Sequence, residues 1–382
     1  MFFLSKRLVL AGLLFSIFIL TGCGNSVEVM AEDRVFLPLS LEFLGEYQLR
    51  ENTFKNTRLG GLSGISYDRL NNLFYAVSDD RSNLSPARFY TLKLDLTEAD
   101  RLKDITVKDV TLLKDENGNN YPRNTVDFEG IAVSPRGSVF VSSEGVYRTK
   151  TPPFIKEYDL KTGQAISNVR IPDRFLPDET EQKGIQDNLG FEALTLGISS
   201  IAPDDPFRLF TATEYNLKQD YTKENPEPQS SIRFLHYGIN PIGEPLLVAE
   251  HLYLLEPNSE GVIYNGLTGL TTLDREGYFL SLERTFGLYG HGAKIFQVVV
   301  GNATDTSRVE SLRGNPSTIQ PMQKQLLLDL SSLGISLDNL EGITIGPRLQ
   351  DGSLSLLLVS DDNFRDDQVT QFLLFRLKIQ KN

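Results

Sequence analysis

Carboxylates mark both ends of one short motif in this chain. In EGIAVSPRGSVFVSSEG, Glu129 opens the stretch, Glu144 closes it, and the residues between are mostly apolar or small. The motif recurs, starting at Gly61, Asp127, Gly190, Gly266 and Asn339. Aligned, the five copies place Ser63, Glu129, Glu192, Thr268 and Glu341 at the first position, and Asp79, Glu144, Glu214, Glu283 and Asp361 at the last. Asp80 and Asp362 extend the last position in two copies. Like charges held this close raise one another's pKa or demand countercharge. Arg81 and Arg284, beside Asp80 and Glu283, supply part of it. A divalent cation supplies more, and a set of carboxylate oxygens without thiolates suits calcium better than zinc. The expectation is that Asp79, Glu144, Glu214, Glu283 and Asp361 hold Ca2+. Glu129, Glu192 and Glu341, with Arg81 and Arg284, would then act on a small ester or phosphoester. Each acid also has a plainer use, as an acceptor for nearby backbone N–H groups.

Other chemistry is poorly supplied. His236, His251 and His291 share no spacing, and the chain contains no HExxH, CxxC or GxSxG. DENGNNY (115–121) begins like a calcium loop but lacks its sixth-position Gly and terminal Glu, so it reads as a turn.

These acids need elements to gather them. Each copy reads as strand, turn, strand. Antiparallel pairing returns the second strand to the edge where the first began, so Glu129 and Glu144 become neighbours. A further alternating run follows each hairpin, at 88–96, 154–160, 232–239, 294–300 and 370–379. Fourth runs follow at 105–113, 165–171, 244–255 and 324–330. The fifth repeat ends near the C-terminus without one, and Leu41–Leu49 is the segment free to complete it. Repeating four-stranded units predict an all-β propeller of five blades, closed by an N-terminal strand in the last blade. A sixth, degenerate blade has room in 301–337, and a β-sandwich is the rival fold. In the propeller the paired acids rim the central channel.

The first 22 residues stand apart. Lys6 and Arg7 precede an apolar run from Leu8 to Leu20, which has the form of a signal peptide and is short for a membrane span. It ends in Leu20-Thr21-Gly22-Cys23, which resembles the bacterial lipobox, and Cys23 is the only cysteine. The expected organisation is a lipoprotein signal peptide (1–22), a lipidated tether (23–38) and one domain (39–382). That places the protein outside the cytoplasm, in the cell envelope, lipid-anchored to a bacterial membrane through Cys23. The formal charge of −12 grows by two on loss of Lys6 and Arg7. No basic stripe is present, which argues against nucleic acid as a partner.

Taken together, GLSGISYD, FYAVSDDRS, FEGIAV, VFVSSEG, GFEALTL, LFTATE, FLSLER and LLLVSDDNF resemble the bacterial "esterase-like activity of phytase" family, from about Leu41 to the C-terminus. The resemblance implies a phytase-like propeller outside the cytoplasm and hydrolysis of phosphate or carboxylic esters. The copies beginning with Ser63 and Thr268 lack the first acid and depart from a full acidic ring. Two functions follow: a metal-dependent ester hydrolase, or a non-enzymatic propeller that gathers a ligand or partner at the same mouth.

Overall fold

The computed structural model describes residues 35–180, 182–221, 229–314 and 318–379. The signal segment, Cys23 and most of the tether lie outside these residues. Pro38 onward forms one compact unit.

The strands follow the expected repeat. After β1 (Leu39–Leu49) and a small ribbon of β2 (Thr53–Phe54) and β3 (Thr57–Arg58), the first blade comprises β4 (Leu62–Asp68), β5 (Leu73–Ser78), β6 (Arg88–Leu96) and β7 (Leu102–Leu112). The second is β8 (Phe128–Val133), β9 (Ser138–Ser143), β10 (Phe154–Asp159) and β11 (Ala165–Val169). The third is β12 (Phe191–Gly197), β13 (Phe207–Thr213), β14 (Ser231–Ile239) and β15 (Leu246–Leu254). The fourth is β16 (Val262–Thr272), β17 (Tyr278–Gly287), β18 (Gly290–Val299) and β19 (Gln323–Asp329). The fifth is β20 (Asn339–Arg348), β21 (Leu354–Asp361) and β22 (Thr370–Ile379), completed by β1.

The innermost strands β4, β8, β12, β16 and β20 touch in that order, and β20 returns to β4, so the five sheets close a ring. This is a five-bladed β-propeller. β1 runs antiparallel to β22, with Leu49 opposite Thr370 and Leu39 opposite Ile379. Alternation explains the blades' stacking, because successive side chains of a strand face opposite sides. Along β5, Phe74 and Ala76 join the core shared with the fifth blade, while Tyr75 and Val77 join the core shared with the second. Comparable cores fill the other three blade interfaces. An inner strand is thus apolar on both faces.

The expected five blades are borne out, and the described residues of 301–337 build no sixth. Residues 301–314 and 318–322 run instead along the outer edge of β15: Thr306 N–H donates to Glu250 O at 2.7 Å and Met322 N–H to Leu252 O at 2.8 Å. A polar segment with few β-branched residues cannot build its own blade, but it covers an exposed edge.

Candidate functional site

One backbone irregularity places the acids. The pairing of every inner hairpin slips beside its first motif position: between Leu62 and Gly64, Phe128 and Ile131, Phe191 and Ala193, Leu267 and Gly269, and Leu340 and Gly342. Ser63, Glu129, Glu192, Thr268 and Glu341 are the unpaired residues of these bulges, and a bulge re-aims a side chain at the sheet's end. The small residue that follows each has a packing reason. A Cβ on Gly130 would lie 2.6 Å from the backbone oxygen of Glu192, and one on Gly64 would lie 2.4 Å from that of Glu129. Adjacent blades approach too closely there for a side chain. Where the acid is missing, a hydroxyl ties the blades together: Ser63 Oγ donates to Glu129 O at 2.9 Å.

The bulge register also corrects the alignment in the fourth blade. Leu62, Phe128, Phe191 and Leu340 stand opposite Ser78, Ser143, Thr213 and Ser360, and the acid follows each of the latter. Leu267 stands opposite Glu283 itself, so the rim residue of this blade is Arg284. Glu283 is buried away from the rim. It accepts hydrogen bonds from Tyr253 Oη at 2.6 Å and Glu256 N–H at 2.9 Å, and pairs with Lys324 Nζ at 2.5 Å. Its expected role as a metal ligand is withdrawn. The acids beyond the rim position hold turns. Asp80 pairs with the buried Arg88 and accepts from the backbone N–H groups of Asn83, Leu84 and Ser85. Asp362 accepts from Gly61 and Phe364 N–H.

The remaining rim acids sort into groups. Asp79, Asp127 and Glu129 each offer an oxygen within 4.8 Å of the others', and so do Glu144, Glu192 and Glu214. Each triad mixes first and last motif positions from neighbouring blades. Asp127 was not among the residues expected from sequence, although it stands two before Glu129 and therefore close to it on the same strand entry. Glu341 accepts from Asn339 Nδ2 at 2.8 Å, and Asp361 accepts from Asn363 N–H at 2.7 Å, so both are already engaged.

Countercharge is local. Arg81 grips Asp127 with Nε at 2.7 Å and Nη2 at 2.6 Å, and also donates to Asn188. Arg284 Nη2 lies 2.6 Å from Glu214 and 3.8 Å from Glu341, and its guanidinium stands over the Tyr264 ring. Glu144 accepts from Gly190 N–H. Glu192 Oε2, buried, has no hydrogen-bond partner, and neither does Arg284 Nε.

Burial, reinforced by mutual repulsion, pushes Asp79, Glu129, Glu144, Glu192 and Glu341 well above the usual carboxylate range. Asp361 is raised to about 7, again mainly by burial. The repulsion runs around the ring, from Asp79 through Glu129 and Glu192 to Glu341 and Asp361. Protons or a cation at this mouth would relieve that repulsion.

His236 and His251 lie on the paired strands β14 and β15, and His291 lies on β18, outside both acidic triads. DENGNNY is a turn, in which Asp115 Oδ1 accepts from Asn117 and Asn119 N–H.

The family model described as Phytase-like, "esterase-like activity of phytase", matches residues 57–364. No curated protein matches the sequence. Among solved structures, the chain is similar to the exo-β-1,3-galactanase of Phanerochaete chrysosporium at 7% identity and a TM-score of 0.44, covering 88% of this chain and 64% of that one. It is also similar to the allergen Mala s 1 of Malassezia sympodialis, at 13% identity and a TM-score of 0.40 over 86% and 84%. The catalytic domain of the Coprinopsis cinerea GH62 α-L-arabinofuranosidase is similar at 9% identity and 0.37 over 89% and 97%.

Proposed function

The chain belongs to the phytase-like family, and from that membership and its acidic mouth we propose a metal-dependent hydrolase of phosphate or other esters. The observation that carries the reading is the pair of buried acidic triads converging on one channel mouth. Their donor set is hard oxygen throughout, which suits Ca2+. The unpartnered Glu192 Oε2 fits a ligand position, because a buried acceptor left unsatisfied is costly. Asp79, Asp127 and Glu129 would hold one cation, and Glu144, Glu192 and Glu214 another. A bound cation supplies charge for an anionic ester and lowers the pKa of a coordinated water.

This chain's own residues do the rest. Arg284 stands where the other blades present an acid, so the mouth has one cationic sector facing the triads. Its guanidinium can take one oxygen of a substrate anion through the unpartnered Nε. Glu341, whose pKa burial and the neighbouring Asp361 push up, can donate a proton to a leaving oxygen. The test is turnover of a chromogenic phosphate monoester and a carboxylic ester, each with Ca2+ and after chelation. Metal-dependent turnover that vanishes in Glu192→Gln supports the hydrolase. Cation binding without turnover of either ester replaces it with a non-enzymatic binding propeller.

The sequence-based expectation that Cys23 carries lipid belongs to the same reading, and with it an extracytoplasmic site in the cell envelope. Cys23→Ser should move the protein from the membrane fraction to the soluble one. Unchanged fractionation counts against the anchor.

A further inference from the structure

One blade stands taller than the others at the mouth. β5, β9 and β13 stop one residue short of their rim acids and β21 stops on its own, whereas β17 runs three residues past Arg284 to Gly287. β16 and β18 accompany it, with Tyr264 opposite Phe286 and Phe286 opposite His291. The result is a three-stranded tab that continues roughly 10 Å beyond the rim position. Its tip is the two-residue turn Leu288–Tyr289, between the paired Gly287 and Gly290. Glycines let the strands close on one another there. A Cβ on Gly287 would stand 2.1 Å from Gly261 O, and one on Gly261 would stand 2.8 Å from the Tyr289 ring. Leu288 N–H donates to Gly261 O at 2.9 Å, which ties the tip to the start of β16.

One face of the tab belongs to the mouth. Side chains alternate along a strand, so Arg284 and Phe286 share a face, and the partners opposite Phe286, Tyr264 and His291, share it with them. Arg284 reaches Glu214 at 2.6 Å and Asn339 at 2.6 Å, on the blades to either side. Its guanidinium stands 5.4 Å from the Tyr264 ring. That ring lies 6.2 Å from the ring of Tyr215, the residue after Glu214 of the second triad. Beyond Arg284 the face is a row of rings, with Phe286 and His291 4.9 Å apart. Burial lowers the pKa of His291, so near neutral pH it is an uncharged ring. Phe286 is 44% exposed, Ile263 68%, Leu288 76% and Tyr289 88%. Four large apolar residues gathered on one raised tab are not the scattered singles that a protein surface ordinarily carries.

A bilayer is a poor occupant for this face. The tab shares its side of the ring with the acidic triads, while the chain enters the propeller at Leu39 on the other side. A protein partner needs a contact of about 1,000 Å² or more, beyond what four side chains supply. A ligand already held at the mouth fits, because the rings continue directly from Arg284. We propose that the substrate is an ester bearing an aromatic ring, which seats on Phe286 and Tyr264 while its oxygens lie toward Arg284 and the second triad. The substrate's role rests on the hydrolase reading, but ring binding by the tab does not. Aromatic rings that stack or meet edge to face gain more than their buried area alone provides, and the guanidinium at the foot of the row orients the oxygens.

The test is calorimetric titration of phenylphosphonate, butylphosphonate and methylphosphonate, which contain no ester bond, into calcium-loaded protein. Phenylphosphonate should bind about tenfold or more tighter than methylphosphonate. Phe286→Ser should remove that advantage and Phe286→Tyr should keep it. Leu70→Ser, at an exposed apolar residue between β4 and β5, should change nothing. Phe286 is partly exposed, so an unchanged Tm in its variants excludes a loss of fold as the cause. Butylphosphonate binding as tightly as phenylphosphonate overturns the aromatic class. Absence of phenylphosphonate binding, or binding indifferent to Phe286→Ser, overturns the role of the tab. Ring-selective binding without turnover of phenyl phosphate or phenyl acetate leaves that role standing and removes the hydrolase. Turnover of phenyl phosphate indifferent to Phe286→Ser keeps the hydrolase and removes the role of the tab. Where turnover exists, Phe286→Ser should raise KM for phenyl phosphate and leave KM for methyl phosphate unchanged. An equal rise for both overturns ring recognition.

Discussion

Glu129 opens one copy of the motif and Glu283 closes another, yet they have opposite fates. Glu129 sits in a bulge among other acids. Glu283 is one residue out of register and neutralises Lys324 under Tyr253. Substitution should separate them. Glu192→Gln, which removes a repelling charge from the second triad, should raise the metal-free Tm by on the order of 1–2 °C and abolish most of the rise that calcium gives. Glu283→Ala leaves Lys324 with only Glu256, 3.5 Å away, strands Tyr253 Oη, and should cost about 1–3 kcal/mol, while the calcium response persists. Thermal scans of both variants with Ca2+ and after chelation check this pair. A second prediction concerns pH. The rim acids bind protons more tightly folded than unfolded, so the metal-free domain should lose stability as pH rises from about 4 through the value of about 7 found for Asp361. The groups raised further extend that loss upward. Bound calcium should flatten this slope, and a metal-free Tm that climbs steadily over the window would contradict the buried ring.

Strands were largely legible in the sequence because the inner strands must be apolar on both faces, as in LFYAVS, and four of the five hairpins are punctuated by Gly or Pro. What the letters do not mark is the bulge. An extra residue shifts the register without changing composition, so GLTGLTTLDREGYFLSLER aligns as readily on Glu283 as on Arg284. Asp127 was missed for the same reason: the irregular pairing from Phe128 to Ile131 folds a residue two positions away into the cluster. The glycine after the bulge is the legible trace of it. Gly130→Ala would drive a methyl group to 2.6 Å from Glu192 O, Leu194 Cβ and Ser142 Oγ. It should destabilise the domain by about 1–3 kcal/mol and perturb calcium binding in addition. Equilibrium denaturation of this variant beside the wild type, with Ca2+ and after chelation, checks both effects.

At the scale of the molecule, the ring depends on one non-local pairing. β1 and β22 join the two ends of the described domain, and each residue of that ladder is more than 300 positions from its partner. The missing fourth strand of the last repeat predicted this from sequence, and the count of five blades followed from the repeats themselves. The 301–337 stretch was misjudged as a possible blade because its length suggested one, while its polar composition served to cover an edge. Deleting 39–49 should leave β22 uncovered and convert the domain to aggregates, measurable by light scattering during refolding.

The same closure fixes a direction. β1 climbs toward the rim, so Leu39 lies at its far end beside Ile379, on the side of the ring away from Glu129 and Arg284. If Cys23 is acylated as proposed, the anchored chain enters the propeller at Leu39, on the side of the ring opposite the acids.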